Sequence, residues 1–87
     1  MSRTFRLQIL SPEGLQLDVE TDSVCLPALD GALGVMGGHA PMLAALRDGE
    51  VRYRQDGQWK SVPISGGTGE MTGQALVILL HPGQYPA

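Results

Sequence analysis

Apolar and polar residues alternate with a period of two over much of this chain. Phe5, Leu7 and Ile9 alternate with Thr4, Arg6 and Gln8, and Leu15, Leu17 and Val19 alternate with Gln16, Asp18 and Glu20. That period places one face of each segment in a core and the other in water, which predicts two strands. Between them Ser11-Pro12-Glu13-Gly14 has the composition of a turn. Val51 and Tyr53 alternate with Arg52 and Arg54, and Asp56-Gly57 follows as a hairpin signal with a return strand over Trp59 to Ile64. Pro63 has no N–H to give a ladder, so this return strand is expected at an edge or at a bend. The uninterrupted apolar run Ala75 to Leu80 predicts a strand buried on both faces. Only Met42 to Leu46 could form a helical turn, and it is too short to stand alone. The fold class is therefore all-β: a small antiparallel sandwich of about eight to ten short strands joined by Gly/Pro turns.

One stretch breaks the alternation. From Gly31 to Leu46 there is no Asp, Glu, Lys or Arg, while four glycines, Pro41 and His39 are present. Such a stretch is either core or a surface kept dry for a partner. Gly37-Gly38-His39-Ala40-Pro41 reads as a shaped turn between two apolar strands. His39 has two uses there: a hydrogen bond within its own turn, or a contact to a partner. An apolar surface of this kind also favours self-association of the isolated domain.

The remaining composition excludes more than it identifies. Eighty-seven residues make one domain, and a chain of this length buries only roughly 60–65% of its unfolded surface, leaving little room for a deep active site. The net charge is −3 and no Lys/Arg cluster occurs, which argues against nucleic acid as a partner. Cys25 is the single cysteine, so neither a disulfide framework nor a cysteine-based zinc site is available, and it reads as a small buried side chain. The N-terminal residues carry charges through their apolar stretch and show no cleavage site, so a cytoplasmic setting is the default.

Catalytic patterns are missing as well. No serine sits in a Gly-x-Ser-x-Gly elbow, and His39 and His81 lie in unrelated contexts without clustered carboxylates. Gly66-Gly67-Thr68-Gly69 lacks the Lys-Ser/Thr of a phosphate loop and reads as a tight β connection. No catalytic residue, metal ligand set or cofactor is expected.

The ordered motifs Phe5-Arg6-Leu7-Gln8-Ile9, Ser11-Pro12-Glu13-Gly14, Leu33-Gly34-Val35, Gly38-His39-Ala40-Pro41, Gly49-Glu50-Val51-Arg52 and Ser65-Gly66-Gly67 resemble the N-terminal β-sandwich of the epsilon subunit of F-type ATP synthases, from about Phe5 to Leu80. The resemblance implies a non-catalytic rotor subunit at the foot of the central stalk, gripping the gamma subunit and resting on the polar loops of the membrane ring. It implies ring contacts at Asp30, Gly31, Ala32, Gly37, Gly38 and His39, and gamma contacts at Ser11, Met42, Leu43 and Leu46. It also implies a peripheral location on the cytoplasmic face of the bacterial inner membrane. The alternative is a stand-alone β-sandwich interaction module with no role in ATP synthesis, because fold does not determine function.

Four departures from the family pattern stand out. Ala32 replaces a carboxylate that many relatives aim at the ring, and Gly37 replaces a frequent proline. Thr68-Gly69 stands where relatives place bulky apolar residues, so local packing or the gamma-facing surface is expected to differ. Finally, a sandwich domain over residues 1–81 is followed by a Pro/Gly-rich tail over 82–87, where many relatives continue into two helices. A subunit without that helical hairpin is expected to couple without self-inhibition and without binding ATP.

Overall fold

The computed structural model describes residues 3–81. They form seven strands: β1 (Phe5–Ser11), β2 (Gly14–Thr21), β3 (Ser23–Ala28), β4 (Gly31–Met36), β5 (Met42–Gln55), β6 (Gln58–Thr72) and β7 (Ala75–Leu80). Their hydrogen-bonded order is β2-β1-β7-β6-β5-β3-β4. No helix occurs among the described residues, and the tail 82–87 lies outside them.

The architecture is the expected β-sandwich, with fewer and longer strands. The expectation of eight to ten short strands fails because β5 and β6 run for 14 and 15 residues. Met42–Leu46 is the first part of β5, not a helical turn: it pairs with Met71–Gly67, and sheet pairing overrides the weak local preference. Gly66–Gly69 is likewise strand interior and not a connection. One pairing, β1 with β7, is parallel; every other is antiparallel.

The long β5–β6 hairpin folds this sheet over itself. Its Met42–Leu46 and Gly67–Thr72 parts continue the β2-β1-β7 side, and its remainder continues the β3-β4 side. Leu7, Ile9, Leu76 and Ile78 from one side meet Val24, Leu26, Val35 and Val51 from the other in one buried cluster. Burial alternates along β7, where Leu76 and Ile78 are enclosed but Leu79 is about half exposed. The expected double-faced burial of Ala75–Leu80 fails because no third layer covers the outside. Cys25 is half-buried, on the opposite face of β3 from Val24 and Leu26, and Leu15 is exposed on β2.

Local chemistry explains the hairpin. Asp56 and Gly57 both adopt positive φ, 53° and 77°, the geometry of a two-residue turn whose twist matches the strands. Counting back from that turn, Pro63 lies at a non-hydrogen-bonded position opposite Glu50, its nitrogen facing away from β5. Strand β7 reaches only Gly67–Thr72, so that side of Pro63 is an edge, as its sequence requires. Thr21, the buried polar residue at 2% exposure, ties β2 to the hairpin by donating its hydroxyl to the Arg54 carbonyl at 2.6 Å.

Among the described residues two ion pairs sit at the surface, one between β1 and β2 and one from β5 to the β2–β3 junction. Arg54 grips Asp22 with two hydrogen bonds of 2.9 and 3.1 Å, and Arg6 Nε donates to Asp18 at 2.6 Å. The Arg54 hydrogen bond holds the Asp22 carboxyl below the usual carboxylate range, against partial burial that acts the other way, and Arg6 does the same for Asp18. A carboxyl with a lowered folded-state pKa contributes stability that is complete above the unfolded value and lost as pH falls through the folded one. Stability should therefore decline below about pH 4, and Asp22→Asn should flatten that decline. Urea unfolding between pH 6 and 2 checks this; equal acid slopes for the two proteins would refute the contribution.

Candidate functional site

The turn Leu29-Asp30 joins β3 to β4, and the segment Gly37–Pro41 joins β4 to β5. Because Ala28 pairs with Gly31 and also faces Leu46, and the Leu29 N–H donates to Ala45 O at 3.0 Å, the β3–β4 turn sits against the start of β5. The result is an open depression of about 770 Å³. Leu29, Asp30, Gly31 and Ala32 form one wall; Met42, Leu43 and Ala44 form the other, with His39 among the lining residues. Leu29 and Leu43 are 66% and 72% exposed, which is unusual for leucine in a chain with so small a core. Asp30 is the one carboxylate among its lining residues.

The structure brings together six of the ten residues singled out above: Asp30, Gly31, Ala32, His39, Met42 and Leu43. The other four lie elsewhere. Leu46 is 3% exposed, part of the core, because β5 turns that side chain inward. Ser11 lines a separate shallow hollow with Pro63, Gly66 and His81. Gly37 and Gly38 lie against Arg3, away from the depression. Asp30 and His39 therefore do not share one turn: strand β4 separates them in the chain.

His39 bonds locally. Its Nδ1–H donates to the Ala40 carbonyl at 2.7 Å, and its backbone N–H donates to Met36 O at 3.0 Å. Gly37 is required for close approach, not for its own conformation: a Cβ there would lie 2.7 Å from the Arg3 carbonyl oxygen. The N-terminal segment thus passes over the Gly37-Gly38 turn at a separation no larger residue allows without a shift. Gly69 has a similar explanation. It is buried, and the methyls of Leu26, Leu46 and Leu76 come within 3.5–3.9 Å of where its Cβ would stand. Those leucines occupy the space that a bulky residue at this position would take.

Sequence reasoning missed Leu29. It was legible only as an apolar residue beside Asp30-Gly31, at a turn position where polar residues are usual. Leu43, across the depression, lies in the Met42–Leu46 stretch that the sequence singles out.

Among the described residues no three His, Cys, Asp or Glu side chains gather as a metal site would need. An open, mainly uncharged hollow rimmed by exposed leucines is suited to holding another macromolecule.

Residues 4–81 match the family model described as the ATP synthase delta/epsilon chain, beta-sandwich domain. The chain is 42% identical over 74 residues to the ATP synthase epsilon chain of Symbiobacterium thermophilum, covering 84% of this chain and 53% of that protein. It is 39% identical over 79 residues to that of Desulforamulus reducens, covering 91% and 60%. It thus spans little more than half the length of these curated relatives. The fold also superposes on a chain in the cryo-EM structure of the Euglena gracilis mitochondrial ATP synthase OSCP/F1/c-ring assembly, with a TM-score of 0.82 and 19% identity over 88% of this chain and 50% of that one. From its folded sheet to its Ser-Gly-Gly bend, this chain belongs to the β-sandwich domain family of ATP synthase delta and epsilon chains.

Proposed function

We propose that this domain is a non-catalytic central-stalk element of an F-type ATP synthase, linking the gamma subunit to the membrane ring and so coupling ion movement to ATP synthesis or hydrolysis. The observation that carries the reading is the depression between the β3–β4 turn and the start of β5, lined by Leu29, Asp30, Ala32, His39, Met42 and Leu43. In a rotor, torque must cross a protein interface without slipping. Burying exposed leucines provides the adhesion, and a surface with one carboxylate avoids the several kcal/mol that each unpaired buried ion costs.

Within that surface the ring would take Asp30, Gly31 and Ala32, with gamma on Met42 and Leu43 and His39 between them. Ser11 and the Gly37-Gly38 turn would be secondary contacts. Ala32 brings no charge, so ring contact here depends on shape, burial and Asp30. The domain would lie peripherally on the cytoplasmic face of a bacterial inner membrane, held there through the complex, with either protons or sodium as the coupling ion.

The test is co-purification of the chain with a gamma subunit, followed by reconstitution on the membrane ring. A stoichiometric complex is expected. Failure to bind any gamma would favour the stand-alone interaction module.

A further inference from the structure

We propose that the free edge of β4 pairs with β4 of a second copy of this chain, joining two sheets side by side. The argument starts from which backbone groups are already used. The two-residue turn Leu29-Asp30 closes on the pair Ala28–Gly31, so Gly31, Leu33 and Val35 exchange hydrogen bonds with β3. The N–H and C=O groups of the alternate residues Ala32 and Gly34, and the Met36 N–H, point to the other side. Strand β4 ends the sheet order, so no strand of the described residues lies there. Among the described residues no side chain or loop bonds the Ala32 and Gly34 groups, while the Met36 carbonyl accepts the His39 N–H.

The two outermost strands are defended differently. Strand β2 carries Asp18 and Glu20, and its pairing with β1 contains a register shift. Charges and irregularities of that kind discourage edge pairing. Strand β4 reads Gly31-Ala32-Leu33-Gly34-Val35-Met36: no charge, no proline, and unbroken register with β3.

These features fit a second copy better than an arbitrary strand. In antiparallel pairing about a two-fold axis the residue on the axis faces its own copy, and every charge on the strand recurs on both sides of the seam, so a charge at or beside the axis would meet its like. There is none. A two-fold axis at Gly34 puts Gly34 opposite Gly34, Leu33 opposite Val35, and Ala32 opposite Met36. Opposed residues then share a face, as antiparallel pairing requires. The two Gly34 residues exchange N–H···O bonds, and each Met36 N–H donates to the partner's Ala32 carbonyl. Met36, 62% exposed, is covered by Ala32 of the second copy. Gly34 has open space where a Cβ would stand, so a side chain placed there meets nothing in the monomer and can probe the seam.

A six-residue edge buries less than a standard interface, so the dimer is weak, with a dissociation constant between about ten micromolar and one millimolar. The inference is independent of the rotor reading.

Sedimentation equilibrium combined with amide exchange on the full chain tests it. The amides of Ala32, Gly34 and Met36 should gain protection as concentration rises, while those of Leu33 and Val35 stay unchanged. Gly34→Lys, sterically free in the monomer, should weaken association at least about tenfold by setting two ammonium groups face to face. Ala32→Lys serves if that variant unfolds, and Leu15→Lys, on β2, should leave association intact. A monomer at about 1 mM would overturn the proposal. So would protection gained at β2, or a dimer lost on substituting Leu43 but kept in Gly34→Lys.

Discussion

Gly67→Ala should destabilise this domain by about 3 kcal/mol or more, enough to leave much of a small protein unfolded. Gly67 has φ 157°, and a Cβ built on it would stand 2.5 Å from the Leu79 carbonyl oxygen and 3.3 Å from the Leu80 Cα. Neither neighbour is free to retreat. Gly67 pairs with Leu46 on one side and Leu80 on the other, so the clash lies inside a three-strand ladder, and Leu46 is itself in the core. Gly66, at φ 84°, precedes it, and together they let β6 bend from one side of the folded sheet to the other. Chemical denaturation of the variant measures the loss, with Gly34→Ala as control. Gly34 has open space and no positive φ, so that change should stay within about 0.5 kcal/mol. Equal stability of Gly67→Ala and the parent would refute the assignment of Ser-Gly-Gly as the bend.

That bend marks where reading the sequence stops. Phe5, Leu7, Ile9, Val51 and Tyr53 are buried as their period predicts, because alternation is a local signal that the pleat converts directly into burial. Asp56-Gly57 and Pro63 behaved as their backbone chemistry demands. What could not be read was how the segments join. Glycines between two strands and glycines within a bent one look alike in sequence, so β6 was divided at Gly66–Gly69 and the strand count came out too high. Leu46 shows the same limit at the site: its apolar stretch was visible, but the face to which β5 turns each side chain depends on pairing with Gly67. Leu29 escaped notice because its exposure follows from the β3–β4 turn resting on Ala45, a contact sixteen residues away in the chain.

The exposed pair on either side of the depression gives the second large effect. Replacing Leu29 and Leu43 together by Asp should leave stability within about 1 kcal/mol, since both are more than 60% exposed and neither belongs to the buried cluster. Binding to gamma or to the gamma–ring assembly should fall over about a hundredfold. Two terms act together: the apolar burial of two leucines is lost, and two carboxylates must be desolvated beside Asp30, which already carries the local negative charge. A matched pair of charges elsewhere, Leu15→Asp with Leu79→Asp on the outer faces of β2 and β7, separates a site effect from a general change in net charge. Calorimetric titration reports the affinities and thermal unfolding reports the fold. Undiminished binding by the Leu29/Leu43 variant would move the docking surface off this depression, and the rotor reading would then have to rest on Ser11 and the Gly37-Gly38 turn. Loss of binding in both variants would point to long-range electrostatics, and salt dependence of the affinity would then distinguish steering from contact.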